Sequence, residues 1–212
     1  MKSVGIENII FDLGNTLVYF DFCYFYDRIA HLEKKLNPSK FRKFINDKKL
    51  GIKLTKGTLD HKTFFRILKK KFDLKIGYDD FKYFYSDVFW INNQMKNFLD
   101  KISRIKKYKL FLLSNTDALH MNFIDKNFPF VGVLKNRVLS YKVGMIKPQK
   151  VIFRYTLKKY NLNPEKTLII DDIKENILSA SSLRIKTILY KNHRSFIKKF
   201  SALAKNAEAN NK

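Results

Sequence analysis

Three apolar residues, Ile9, Ile10 and Phe11, lead directly into Asp12, after which the chain passes through Gly14. A short apolar run of this kind is typical of a buried strand. In a parallel α/β sheet, ligands bind at the carboxyl ends of the strands. An aspartate at that edge can act as a nucleophile or a metal ligand, or it can cap the following helix. The segment by itself leaves these alternatives open.

Two later segments place polar residues where an anion could bind. An apolar run ends at Ser114, Asn115 and Thr116, and small hydroxyl and amide groups can donate hydrogen bonds to phosphate oxygens. Capping of the next helix is the alternative for these side chains. Lys147 stands just before a proline that is typical of a helix start. It could offer a positive charge to an anion, or it could be one of many surface lysines.

A fourth segment, residues 167–170, has a buried-strand pattern that ends in Asp171 and Asp172. Two adjacent carboxylates repel each other unless a cation lies between them. Together with Asp12 they would form an all-oxygen site of the kind that suits Mg²⁺. A helix cap is again the alternative, although one aspartate would have sufficed for it.

Taken in order and spacing, residues 12–16, 114–116, 147–148 and 171–172 resemble the four motifs of the haloacid dehalogenase superfamily. The resemblance extends from about residue 7 to about residue 203. The segments around Asp12 and Lys147 look most like the bacterial sugar-phosphatase branch, whose member types include an α-D-glucose-1-phosphate phosphatase. The resemblance implies an α/β fold: a Rossmann-like, three-layer core around a parallel sheet, with a small all-helical cap inserted after the first strand.

The resemblance also implies a role for each residue. Asp12 would attack phosphorus and form an aspartyl-phosphate, and Lys147 would neutralise charge on Asp12 and on the transferring group. Phosphate oxygens would be bound by Ser114, Asn115 and Thr116. Mg²⁺ would be held by Asp12, the carbonyl oxygen of Gly14, Asp172 and, directly or through water, Asp171.

One position departs from the family pattern. Most phosphatases of the superfamily carry a second aspartate, the general acid and base, where this chain has Gly14. Loss of a general acid typically lowers the rate roughly 100- to 10,000-fold, or by about 3–5 kcal/mol of barrier. We therefore expect a preference for acidic leaving groups, such as those of anomeric sugar phosphates or acyl phosphates. By residue type, candidate replacement donors are Asp21, His61 and His120, with surface or supporting positions as the alternative for each.

These patterns predict a Mg²⁺-dependent phosphatase that acts on a small phosphorylated metabolite, with a sugar phosphate as the expected substrate. A 2-haloacid dehalogenase is one alternative, because such enzymes share the fold, lack the second aspartate and need no metal. They usually carry a bulky tyrosine at the position of Gly14, however, and have no need of the pair Asp171 and Asp172.

Charge supports a second alternative. The chain has 43 Lys and Arg against 19 Asp and Glu, a formal net charge of +24. Such a charge can attract polyanions, so a non-catalytic basic module that binds nucleic acid or a ribonucleoprotein stays open. The composition also matches the drift of an AT-rich genome. The nucleophile, the phosphate-binding serine, the lysine and both metal acids are retained together, which argues against a dead site. We expect a small phosphorylated substrate as partner, and a monomer or weak dimer.

Strand-like and helical patterns alternate along the chain, which predicts parallel βαβ units. The predicted strands are 8–12, 109–114, 137–140, 167–171 and 186–190. Residues 1–18 and 92–205 would form the core, 19–91 a helical cap, and 206–212 a disordered tail. Aromatic residues at 20, 22 and 24–26 would line the entrance of the cap or pack inside it. No 18-residue apolar run or signal-peptide core is present, and Cys23 is the single cysteine, so we expect a cytoplasmic protein without a disulfide.

Overall fold

The computed structural model describes residues 5–208, and their side chains as far as residue 204. Its strands are β1 (Asn8–Phe11), β2 (Val18–Phe20), β3 (Phe89–Ile91), β4 (Lys109–Ser114), β5 (Asn136–Leu139), β6 (Thr167–Asp171) and β7 (Lys186–Leu189). Five of them form one parallel sheet in the order β5-β4-β1-β6-β7. These are the five strands that the sequence predicts. The order reverses between β1 and β6, and the crevice at such a switch point is where α/β sheets bind ligands.

Helices connect the strands and cover the sheet. They are α1 (Cys23–Leu32), α2 (Pro38–Asp47), α3 (Leu50–Thr55), α4 (His61–Phe72), α5 (Tyr78–Ser86), α6 (Asn93–Ser103), α7 (Ala118–Asn127), α8 (Ser140–Val143), α9 (Lys150–Lys159), α10 (Lys174–Ser181) and α11 (His193–Glu208). The predicted tail begins inside α11, and its residues 209–212, like residues 1–4, lie outside the described residues. Within residues 5–208, no helix combines the length and hydropathy needed to cross a bilayer.

The sheet lies between two hydrophobic clusters, which makes the core a three-layer structure. Successive side chains of a strand point to opposite faces. Ile9 and Phe11 accordingly pack in one cluster with α6, α7 and α11, whereas Ile10 packs in the other with α9 and α10. All four residues of β1 are buried, because helices cover both faces of a parallel sheet.

Helices α1–α5, here called the helical insert, lie between β2 and β3. These two strands pair antiparallel, with Val18 opposite Ile91 and Phe20 opposite Phe89. The sequence does not predict this ribbon, and the predicted insert begins inside β2. The insert has its own buried cluster, which contains Phe25, Phe41, Phe64, Phe65 and Phe81. The ribbon brings the chain into and out of the insert beside the end of β1.

Candidate active site

The four predicted motifs meet at the carboxyl edge of the sheet. Asp12 follows β1, Asp171 ends β6, and the ammonium of Lys147 lies between them. Lys147 Nζ is 2.7 Å from Asp12 Oδ1 and 2.6 Å from Asp171 Oδ2. The Asp12 amide donates to the carbonyl of Ile170 at 2.9 Å, which continues the β1–β6 pairing by one residue. Neighbouring parallel strands therefore place the two carboxylates side by side at the switch point.

Asn115 holds Lys147 in position. The Asn115 side-chain amide donates to the carbonyl of Lys147 at 2.8 Å, and the backbone N–H of Lys147 donates to Asn115 Oδ1 at 2.8 Å. Both polar atoms of the side chain are thus used on the lysine backbone. The carboxamide keeps a second N–H beyond the one that bonds Lys147, so the phosphate contact predicted for Asn115 stays a prediction.

Burial and like charge perturb the acidic groups. Burial raises the pKa of Asp12 to about 7; Lys147 opposes this shift, while the charges of Asp171 and Asp172 add to it. Burial and the neighbouring Asp171 likewise raise the pKa of Asp172. For Lys147, burial alone would lower the pKa, but the charges of Asp12 and Asp171 outweigh it and the pKa is raised. The lysine therefore stays protonated between its two carboxylates.

Asp171 is the most completely bonded acid of the group. The N–H of Ile173 donates to its Oδ1 at 2.9 Å, and the side-chain amide of Asn176 reaches both oxygens at 2.9 and 3.0 Å. With Lys147 on Oδ2, each carboxylate oxygen of Asp171 has two partners. Sequence reasoning missed Asn176, whose only signal is its place in the first turn of the helix that follows the acids.

The acids fit a hard cation. Asp12, Asp171 and Asp172 each offer a carboxylate oxygen, and these oxygens lie within 4.8 Å of one another. Such crowding of like charge is relieved by a cation among them, and carboxylate oxygens are what Mg²⁺ prefers. Because Asp171 is already bonded to Asn176 and Lys147, the ligand oxygens would come chiefly from Asp12 and Asp172.

Two adjoining cavities lie beside these residues. The acid pocket, of about 190 Å³, is lined by Asp12, Gly14, Asn15, Phe20, Asn115, Lys147, Asp172, Ile173 and Asn176. The insert cavity, of about 490 Å³, lies between the helical insert and the core. Gly14, Phe20 and Asn115 line both. The other two predicted phosphate ligands, Ser114 and Thr116, line the insert cavity on either side of Asn115 in the chain.

Phe20 explains the glycine at position 14. A Cβ built on Gly14 would lie 2.7 Å from Cε1 and 3.1 Å from Cδ1 of the Phe20 ring. The ring itself packs against Phe22 and Phe89, with centroids 5.7 and 6.0 Å away. A side chain at position 14 therefore has no room unless this aromatic packing changes. Phe20 was expected only as an entrance or packing residue.

The candidate replacement proton donors, Asp21, His61 and His120, are not among the described residues that line the acid pocket. His61 Nε2 is 2.9 Å from Asp117 Oδ1, and His120 Nδ1 is 2.8 Å from Asp117 Oδ2. The hydroxyl of Tyr85 also donates to Asp117 Oδ2, at 2.8 Å. Asp21 is exposed and accepts a hydrogen bond from the N–H of Cys23.

Asp117 joins the insert to the core. It is buried at the start of α7 in the core, while His61 and Tyr85 belong to the helical insert. Burial alone would raise the pKa of Asp117, but the histidines His120 and His61 outweigh it and lower the pKa. Asp117 is therefore a buried anion with partners from both the helical insert and the core. It was not among the predicted site residues.

A protein-family model described as haloacid dehalogenase-like hydrolase matches residues 6–183. Among curated proteins, D-ribitol-5-phosphate phosphatase of Bacteroides thetaiotaomicron is 32% identical over 96 residues, which cover 42% of this chain and 47% of the relative. The match thus spans about half the length of that relative.

Solved structures show the same fold. A HAD family enzyme from Bacteroides thetaiotaomicron superposes with a TM-score of 0.79 at 25% identity, over 88% of this chain and 94% of the other. A mutant of that enzyme, in complex with magnesium and inorganic phosphate, gives a TM-score of 0.77 at 23% identity over 88% and 95% of the two chains.

Proposed function

We propose a Mg²⁺-dependent phosphatase activity for this chain, which belongs to the haloacid dehalogenase-like hydrolase family. The observation that carries the proposal is the position of Lys147, whose ammonium contacts Asp12 at 2.7 Å and Asp171 at 2.6 Å at the switch point of the sheet. A cation fixed beside a buried carboxylate suits transfer of a group that is itself anionic, because phosphoryl transfer depends mainly on positioning and electrostatics.

Asp12 is the proposed nucleophile. A carboxylate oxygen of Asp12 attacks phosphorus, the bond between phosphorus and the ester oxygen breaks, and the alcohol leaves with a proton taken from solvent. Water then hydrolyses the aspartyl-phosphate to release inorganic phosphate and restore the carboxylate. Burial removes much of the water that would stabilise the charged form of Asp12, while the ammonium of Lys147 favours the carboxylate and orients it.

Asp12, Asp172 and the carbonyl of Gly14 would hold Mg²⁺, with Asp171 in support. The ion supplies positive charge to phosphate oxygens when it is bound. Two observations support this assignment: the three carboxylates crowd within 4.8 Å, and an Mg²⁺ complex exists for a mutant of a structurally similar enzyme. Phosphate oxygens would also be contacted by Ser114, Asn115 and Thr116, as the family resemblance implies.

A sugar phosphate is the proposed type of substrate, as the name of the curated relative suggests. Because Phe20 leaves no room for an acid at position 14, we expect esters with acidic leaving groups to react fastest. Residues 19–91 would act as a cap over a core of residues 1–18 and 92–205. The protein would work in the cytoplasm as a monomer or weak dimer.

Phosphate release from a panel of sugar phosphates, with Mg²⁺ and after removal of metal by EDTA, tests the proposal. We expect Asp12→Asn to lower kcat by roughly 1,000-fold or more, a loss that is typical when a nucleophile is removed. Asp79→Asn, at an exposed position on α5, is the matched control and should keep wild-type activity. Equal activity of Asp12→Asn and wild type, or full activity in EDTA, would contradict the assignment.

Two further assays separate the alternatives. Filter binding to RNA at two salt concentrations detects the basic-module alternative, which predicts tight, steeply salt-dependent binding without Mg²⁺-dependent phosphatase activity. A metal-free assay on 2-chloropropionate detects the dehalogenase alternative. Neither result is expected, because the nucleophile and the lysine are in contact and the oxygens of Asp12, Asp171 and Asp172 lie within 4.8 Å of one another, as a metal site requires.

A further inference from the structure

The insert cavity continues the acid pocket away from the nucleophile. Both are lined by Gly14, Phe20 and Asn115, so a group esterified to a phosphate in the acid pocket would extend into the insert cavity. Its volume of about 490 Å³ is within the range of cavities that bind drug-sized molecules. If the proposed phosphatase function holds, this cavity therefore receives the alcohol part of the substrate.

Aromatic side chains form much of the cavity wall. Phe20, Phe22, Tyr85 and Phe89 all line it, and they come from the ribbon, the start of α1 and the end of α5. Phe22 packs against Phe20 and Tyr85 with ring centroids 5.7 and 6.2 Å apart. An array of this kind binds flat apolar groups by offset or edge-to-face contacts.

The buried polar groups in the same wall are already bonded to one another. Asp117 accepts from Tyr85 and His61, and also receives the N–H and Nδ1 of His120. His120 Nε2 in turn is 2.9 Å from the carbonyl of Tyr85. Hydroxyl groups that enter here would leave water without gaining these partners, which costs free energy. The other polar lining lies at the two ends of the cavity. Asn46 and Lys49 are exposed at the rim, and the hydroxyl of Thr55 donates to the carbonyl of Gly51. Ser114 and Thr116 flank Asn115, which also lines the acid pocket.

A smaller cavity of about 160 Å³ extends the space into the helical insert. It shares Phe22, Ile45 and Tyr85 with the insert cavity, and its other walls include Phe25 and Phe64. The path away from the acid pocket therefore becomes more aromatic with distance. Five of the eight residues that line this inner region are aromatic, and Asn46 is the one amide among them, so an aromatic ring would make more contacts here than an open-chain polyol.

We propose that the insert cavity selects phosphate monoesters whose alcohol carries an aromatic or heteroaromatic ring, of the nucleoside monophosphate type. The sugar of such a substrate lies near Phe20, and the ring packs between Phe22, Tyr85 and Phe89. Phe20, Phe22 and Phe89 are then specificity-determining residues. This inference rests on the proposed phosphatase function and adds the class of alcohol.

A matched pair of substrates tests the inference. Ribose 5-phosphate and the nucleoside 5′-monophosphates AMP and UMP share the leaving oxygen and differ in the base. Stacking on aromatic side chains typically contributes 1–3 kcal/mol per base, so we expect kcat/KM to be roughly 5- to 150-fold higher for the nucleotides. Ribitol 5-phosphate should be no better than ribose 5-phosphate. Pyridoxal 5′-phosphate distinguishes a compact aromatic alcohol from a nucleoside, and a preference for either ring-bearing ester over ribose 5-phosphate supports the shared chemistry.

Variants locate the preference in the cavity. Phe22→Leu and Phe89→Leu should each reduce the ratio of nucleotide to ribose 5-phosphate kcat/KM at least about threefold. Tyr83→Leu is the matched control, because Tyr83 is an exposed aromatic residue of α5 outside the cavity lining, and it should leave the ratio unchanged. A ratio that is the same in all three variants and wild type would place the preference elsewhere and overturn the inference.

Calorimetric binding of AMP and ribose 5-phosphate to Asp12→Asn, with Mg²⁺, gives a readout that does not need turnover. Tighter binding of AMP than of ribose 5-phosphate supports the inference. If AMP binds more tightly but no ester is hydrolysed, only the phosphatase function is refuted. Equal or weaker binding and turnover of AMP, with active hydrolysis of ribose or ribitol 5-phosphate, would overturn the inference and leave the phosphatase function standing.

Discussion

We expect Gly14→Ala to destabilise the fold, because the added methyl group would stand 2.7 Å from Cε1 of Phe20. Contacts this short require the ring to shift, and Phe22 and Phe89 pack against it. Overpacking of one methyl group typically costs about 1–3 kcal/mol. For a chain of this length, that corresponds to a fall in Tm of roughly 2–12 °C. The backbone at Gly14 is not in the left-handed region, so the penalty is steric rather than conformational.

A double-mutant cycle in urea or guanidinium isolates this contact. Phe20→Ala removes the ring, so Gly14→Ala should cost little in that background, and the coupling free energy should be about 1–3 kcal/mol. Gly51→Ala is the matched control, since a Cβ built on Gly51 meets no heavy atom within 4 Å and the residue lies in α3. It should be neutral or stabilising, because alanine is the better helix former. A Gly14→Ala variant as stable as Gly51→Ala, or fully additive single effects, would refute the steric explanation.

Three further predictions concern charge. Lys147→Met leaves Asp12 and Asp171 as buried carboxylates without a counter-ion, so it should lower the free energy of unfolding by about 3–5 kcal/mol and reduce phosphate release by roughly 100-fold or more. Lys126→Met, at an exposed position, is the control and should change neither quantity. Equal behaviour of the two variants would contradict the prediction. Mg²⁺ at 100 times its Kd should add about 2.7 kcal/mol to the free energy of unfolding by mass action and so raise Tm. Asp172→Asn should reduce this rise in Tm, because Asp172 is one of the acids that would hold the ion. A Tm that does not depend on Mg²⁺ would argue against a metal site. Asp117 has a lowered folded pKa, so its stabilisation is present above the unfolded pKa of about 3.9 and is lost as pH falls below it. Asp117→Asn should therefore make unfolding free energy less dependent on pH below about 4, and an unchanged dependence would disprove this role.

Local sequence patterns were sufficient to predict the strands of the parallel sheet and the edge at which the acids stand. The strands β1, β4 and β6 are fully or largely buried apolar runs, a signal that depends only on neighbouring residues. Parallel strands end at one edge, so Asp12 and Asp171 could be expected together. The same reasoning did not predict β2 and β3, because strands of three residues have too few side chains to show a detectable alternation of apolar and polar residues.

The roles of individual side chains required the tertiary structure. The sequence predicts Asn115 as a phosphate ligand, and only the structure adds that its carboxamide also bonds the backbone of Lys147, 32 residues away. His61 looked like a proton donor, but it bonds Asp117, 56 residues away. No local pattern contains such pairs, since they depend on how the connections bring distant segments together.

The order of residues along the chain thus determined the parallel sheet and the edge where the acids stand, because periodicity and strand ends are properties of short segments. A place for Lys147 beside the acids was expected only from the family resemblance. Only the folded molecule decided that Phe20 occupies the space beside Gly14, and that the buried polar groups of the insert cavity are bonded to one another. Those facts depend on the distances between side chains from different elements, which arise when the insert packs against the core.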